Sequence, residues 1–169
     1  MGTPGGKVDR WIVHGKIRLL DQNNGSPFSL SANVEAGREF NTRYGVGYAS
    51  LPTSYKFSPR FAVTAEPKAA FFAGERLYGL GLGANFELFR GLDLIGEVTP
   101  MAGDDAMTWA AGARFHLDSL GWVPASIDIS ASNTIGTRAA ATMVAQDDVR
   151  YSIGLTVPLD GKSLLNSLF

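Results

Sequence analysis

The stretch Val149-Arg150-Tyr151-Ser152-Ile153-Gly154-Leu155-Thr156-Val157-Pro158-Leu159 decides the fold. Its odd positions are apolar or aromatic, and its even positions are Arg, Ser, Gly, Thr and Pro. Successive side chains of a strand point to opposite faces, so a strict period of two reads as a strand with one apolar and one polar face. A helix would scatter both classes around its circumference.

Working back along the chain, the same split recurs. Ala125, Ile127, Ile129 and Ala131 oppose Ser126, Asp128, Ser130 and Ser132. Trp109, Ala111, Ala113, Phe115 and Leu117 oppose Thr108, Gly112, Arg114 and His116. Leu92, Leu94 and Val98 oppose Asp93, Glu97 and Thr99, and Tyr78, Leu80, Leu82, Ala84, Phe86 and Leu88 oppose Gly79, Gly81, Gly83, Asn85 and Glu87. Phe61, Val63, Ala65 and Ala69 oppose Arg60, Thr64, Glu66 and Lys68. Phe28, Leu30, Ala32 and Val34 oppose Ser29, Ser31, Asn33 and Glu35, and Trp11, Val13, Ile17 and Leu19 oppose Arg10, His14, Lys16 and Arg18. That makes eight alternating segments.

Turn chemistry separates them: Asn23-Asn24-Gly25, Ala73-Gly74-Glu75, Arg90-Gly91, Gly103-Asp104-Asp105 and Ser119-Leu120-Gly121. Two longer gaps, 37–58 and 133–147, are expected to be loops able to meet envelope partners, although Tyr44, Val46 and Tyr48 alternate and could add a strand. No helical period of useful length precedes the tail 160–169. Strands joined in series by tight turns predict one all-β domain over 1–169, with its strands within 7–159. The expected architecture is an antiparallel up-and-down barrel of eight strands, with ten or more, or a share in a larger barrel, as the alternative.

Composition narrows the function classes. The chain has 169 residues, 45% of them hydrophobic, but no run near the roughly 20 apolar residues that a spanning helix needs. With 15 basic and 16 acidic residues the net charge is −1, which gives no footprint for nucleic acid. Cysteine is absent, so disulfides and thiolate metal sites are excluded. Met1–Gly6 shows no basic-then-apolar pattern, so no export signal is legible there.

Alternation alone leaves open which face is outside, since a soluble lipocalin-like barrel alternates too. Segment lengths of about 10 residues match a tilted membrane strand. The polar face is mostly Gly, Ser, Thr and Ala with isolated charges, which suits a narrow interior better than a water-facing surface. Trp11, Tyr78, Trp109 and Tyr151 stand early on their apolar faces, and Phe86 and Phe115 stand late, an arrangement expected of membrane-interface aromatics. Ser152, Gly154, Val157 and Leu159 follow the spacing of the assembly signal on the last strand of outer-membrane barrels, although here the chain continues to Phe169. Over nearly its full length the pattern resembles the small bacterial outer-membrane β-barrels of the OmpA, OmpX and OmpW kind. That resemblance implies an outer-membrane location, membrane lipid as a partner and no cofactor.

On this reading the inward-facing charged set is Arg10, His14, Lys16, Arg18, Glu35, Glu66, Lys68, Glu87, Asp93, Glu97, Arg114, His116, Asp128 and Arg150. In a narrow barrel these would pair into a plug, because unpaired buried charge is costly. In a wider one they would line a water-filled path. His14 and His116 are the only histidines and have no metal-ligand spacing. His116 with Asp118 or Ser119 lacks a nucleophile motif, and Asp104-Asp105 reads as a hairpin tip, so no catalytic role is assigned. The expected function is a structural or envelope-interaction barrel, with a narrow pore for small solutes and a soluble ligand-binding barrel as the alternatives.

Overall fold

The computed structural model describes residues 10–39, 45–72, 74–103, 107–121, 124–134 and 140–157. Tyr44, Asp104-Asp105, Leu159 and the tail therefore lie outside the described residues. The described residues form ten strands: β1 (Arg10–Leu20), β2 (Ser29–Glu39), β3 (Gly45–Ser50), β4 (Thr53–Ser58), β5 (Phe61–Phe72), β6 (Glu75–Phe89), β7 (Leu92–Pro100), β8 (Met107–His116), β9 (Ser126–Thr134) and β10 (Ala145–Thr156). All belong to one sheet, and every pairing is antiparallel.

The count is ten rather than the eight expected first, and the difference lies in one segment. Within the presumed loop 37–58, Gly45–Ser50 and Thr53–Ser58 are sheet wall: β3 and β4 lie end to end between β2 and β5. Pro52 interrupts that row because it has no N–H to donate. Pairing continues around the break, since Ser31 donates its N–H to the Pro52 carbonyl at 3.0 Å and Leu51 donates to Pro67 at 3.1 Å. Ten strands thus occupy nine rows, in the order β1, β2, β3 with β4, β5, β6, β7, β8, β9, β10.

The turns follow their residue types. Gly25, Gly74, Gly91, Gly103 and Gly121 all have φ between 77° and 90°, a region that side chains with a Cβ rarely enter. Each falls in a segment whose composition signals a turn.

The second presumed loop, 133–147, is packed against the sheet where it is described. Its Ala140–Met143 stretch is a 3-10 turn that touches β3, β5, β6 and β9. Met143 is 1% exposed and packs with Tyr48 and Ala70, against which Val46, Leu77 and Met101 also lie. One short turn can meet β3 and β9 together only if the sheet curls around it. The apolar residues at these strand ends stand on the otherwise polar row, and they form the seat for Met143.

At the opposite end, the β1–β2 turn is held by Asp21. Its carboxylate accepts the Asn23 N–H at 2.9 Å and Arg18 Nη1 at 2.7 Å. The Asn23 N–H, with the Arg18 guanidinium second, holds this carboxyl below the usual carboxylate range. A lowered folded-state pKa contributes stability that is present above the unfolded value and lost as pH falls through the folded value. Hydrogen exchange of the Asn23 and Asn24 amides is therefore expected to accelerate, relative to the acid-corrected intrinsic rate, on acidification below the ordinary carboxylate range. D21N should remove that dependence; an unchanged profile in D21N would assign it elsewhere.

Candidate functional site

The polar row of the sheet is its covered face. Glu35, Ser50, Lys68, Thr99, Thr108, Ser126 and Thr134 are buried on it, while large apolar side chains on the other row are exposed. Strands β5, β6 and β7 build the densest part. Glu66 and Lys68 are alternate residues of β5, so both point inward, and Glu97 comes from β7 across the glycines of β6. Those glycines make the room: a Cβ on Gly81 would lie 2.7 Å from Lys68 Cε, and one on Gly79 would lie 2.8 Å from Thr99 Cγ2.

In this space the Lys68 ammonium, 4% exposed, donates to Glu97 Oε1 and lies 3.3 Å from Glu66 Oε2. Tyr48 Oη donates to Glu66 at 3.2 Å, and Thr99 Oγ1 donates to Glu97 at 3.0 Å. Every member of this network is thereby fixed by at least one other, the condition under which buried charge is tolerated.

A second group spans β7 to β10. Arg114 Nε donates to Asp128 Oδ1 at 2.6 Å, and Thr156 Oγ1 donates to the other Asp128 oxygen at 3.4 Å. Asp93, opposite Arg114 in register, instead faces His116, with Oδ2 3.1 Å from Nε2. Ser130 and Ser152 share a hydrogen bond of 2.7 Å between β9 and β10. A cavity of about 540 Å³ runs between the two groups, lined by Tyr48, Lys68, Glu97, Arg114, Asp128 and Ser130 among others.

A further cavity of about 460 Å³ opens at the Gly91 end. It gathers Lys56, Arg60 and Arg90 with Glu87, Asp93 and Asp118, around His116. Lys56, Arg60, Arg90 and Asp118 were not among the expected site residues. The β4 strand that carries Lys56 was hidden in a presumed loop, Arg60 stands on the polar face by alternation but lies outside the expected charged set, and Arg90 and Asp118 stand in turns where alternation gives no face.

The remaining expected residues sit apart. His14, Lys16 and Arg18 lie on β1, where His14 faces Glu35 in register and Arg18 bonds Asp21. Arg10 occupies the same row of β1 and faces Glu39 in register. Arg150 stands on β10 opposite Ser132. Of the aromatics, Trp11, Tyr78, Phe86, Phe115 and Tyr151 are exposed and Trp109 is half-buried. Alternation had not singled out Tyr55 and Phe57, which extend the Phe86 end: the Phe57 and Phe61 rings stack at 5.6 Å, and Tyr55 meets Phe57 edge-on at 4.8 Å.

Chemically, these groups hold one another in place. Ser119 Oγ donates to the His116 carbonyl at 2.6 Å, and the imidazole is engaged with Asp93, so the two are not arranged as nucleophile and base. Among the described residues, no three potential metal-ligating side chains of the His, Cys, Asp or Glu type cluster around one point. No protein-family model, no curated protein and no solved structure matches the chain.

Replacing Lys68 by Met should leave Glu66 and Glu97 facing each other without a cation. Removal of one partner from a buried pair costs about 3–5 kcal/mol, which urea unfolding would register as a lower midpoint. Adding E66Q and E97Q to K68M should recover part of that loss. A K68M midpoint equal to wild type would show that the network is not what holds this part of the sheet.

Proposed function

We propose that the chain forms the wall of a membrane-spanning antiparallel β-barrel of a bacterial outer membrane, with a structural or envelope role and a filled, ion-paired interior. The observation that carries this reading is the inversion of the two rows: the polar one is covered and the apolar one is not. Ile17, Val34, Leu80, Leu82, Leu94, Ile129, Ile153 and Leu155 are all exposed on it. Soluble monomers rarely leave apolar area of that continuity facing water. A lipocalin-like barrel would have its rows the other way round.

The aromatic residues support the same reading. Tyr78 and Phe86 stand on one strand, about 26 Å apart at roughly 3.3 Å per residue, or about 20 Å along the axis of a strand tilted by about 40°. Trp11, Phe71 and Tyr78 mark one level, and Phe57, Phe61, Phe86 and Phe115 mark the other, with aliphatic side chains between. Such levels correspond to the two girdles that flank the apolar band of outer-membrane barrels. Membrane lipid is the partner this surface fits.

Leu82 offers a test that separates lipid from water. In a bilayer an arginine near mid-depth on the lipid face costs about 2–4 kcal/mol. On a water-facing surface an exposed substitution changes stability by about 0.5 kcal/mol or less. L82R is expected to lower folding yield and stability sharply in phospholipid vesicles. A neutral L82R, or a chain that stays folded and monomeric without detergent or lipid, would remove the membrane reading.

The pore alternative is favoured by the two cavities on the inner face, and opposed by Met143, which fills the end where Tyr48 and Leu77 stand. The wild-type chain in planar bilayers is expected to give no steady conductance. A stable ohmic step would transfer the assignment to a narrow pore for small solutes.

A further inference from the structure

Counting rows and directions exposes an imbalance at the two sides of the sheet. In a nine-row meander in which every neighbour is antiparallel, the first and last rows run in the same direction. Among the described residues β1 pairs only with β2, and β10 only with β9. Their outward side chains register the missing neighbour: Tyr151 and Ile153 are 82% and 80% exposed and Val13 65%, against 47% and 42% for Leu82 and Leu94 in mid-sheet. A curled sheet of this length with two bare edges is a ready template for pairing. Joining β1 directly to β10 would insert a parallel seam into an antiparallel wall, whereas bacterial single-chain barrels keep an even count of antiparallel strands.

Charge narrows what can fill the gap. The inner row of β1 carries Arg10, His14, Lys16 and Arg18 and no carboxylate. On its paired side Glu35 faces His14 and Glu39 faces Arg10, but Lys16 faces Asn33 and Arg18 faces Ser31. Arg18 reaches Asp21 in the turn, and among the described residues neither His14 nor Lys16 makes an ion pair. In the stretch of β10 paired in register with β9 the inner row is Arg150, Ser152, Gly154 and Thr156, and Asp148 precedes it within the irregular stretch Ala145–Arg150. A second copy of the chain joined β1 to β1 would set cation beside cation, and like charges directly opposite destabilise a strand pair; one joined β1 to β10 in the same orientation would repeat the parallel seam. Within the chain, 1–9 offers only Asp9 and 158–169 only Asp160, neither with acids at alternate positions.

We infer that the β1 edge is the acceptor for a further strand from outside this sequence. It would run antiparallel to both β1 and β10, with acidic residues on the inner positions beside Lys16 and Arg18 and apolar residues on the outer ones. Such a strand completes an even, wholly antiparallel ring and supplies the carboxylates that the basic row lacks. This inference uses the sheet's direction and charge and stands whether the folded chain sits in lipid or in water.

The test is hydrogen exchange with mass spectrometry on the full chain, in whichever medium circular dichroism shows it folded, micelles or plain buffer; that choice of medium reports on the membrane reading separately. The probes are two synthetic peptides of about 10 residues, the length of a membrane strand, one alternating Val with Glu and the other Val with Lys. Alone, the chain should exchange the β1 and β10 edge amides quickly. The Glu peptide should slow them about tenfold or more, which reports local pairing, while the Lys peptide should not. The K16E/R18E variant should reverse that preference. Edge amides already protected in the chain alone, equal protection by both peptides, or protection by neither would overturn the inference.

Discussion

The Lys68 ammonium, enclosed between Glu66 and Glu97, sets the terms for the middle of this sheet. A charge this far from water requires carboxylates at fixed positions, and those positions are set by strand register: β5 must bring Glu66 and Lys68 to one face, and β7 must bring Glu97 to the same level. A slip of one residue in β7 would send Glu97 to the opposite face, and one in β5 would carry Glu66 and Lys68 outward together, away from Glu97. The glycine row of β6 follows from the same requirement, because any side chain at Gly81 would occupy the volume that the lysine fills. Register, glycine placement and charge pairing are thus one constraint expressed three times.

Much of this was legible from alternation, and where it was not the reasons are physical. Period two identifies faces wherever both rows are chemically distinct, as along β6 and β10. It loses the chain at β3 and β4, where Pro52 breaks the row and Tyr48 and Val46 are apolar although they point inward. The same inversion affects Ala70, Leu77 and Met101. These out-of-phase residues all lie at one end of the sheet, and together they were the available sign that something apolar seats there. Met143 itself, within a run of Ala and Thr, carries no periodic signal, so its burial is a tertiary fact that only the curled sheet produces.

The charged set divides along similar lines. Glu66, Lys68, Glu97, Arg114 and Asp128 meet because their strands are adjacent or separated by a glycine row, and adjacency in a meander follows sequence order. At the Gly91 end Lys56 of β4 and Arg60 of the β4–β5 turn meet Arg90 and Asp118, which converge there from turns. For such residues the backbone path through the turn, rather than parity of position, decides where the side chain goes. The interior therefore contains a core set by alternation and a rim set by turn geometry, and only the first can be derived from residue numbers.

The two sides of the sheet bring these threads together. Through the middle rows every inward cation has a carboxylate within reach, because acids and bases alternate across β5 to β9. At β1 that balance fails: four basic positions share one row, and the neighbour on the paired side answers only two of them in register. Equal direction of the first and last rows is the geometric counterpart of that failure. If the inner charges are what specify register in the middle of the wall, the unmatched ones on β1 specify the chemistry of the strand that belongs beside it.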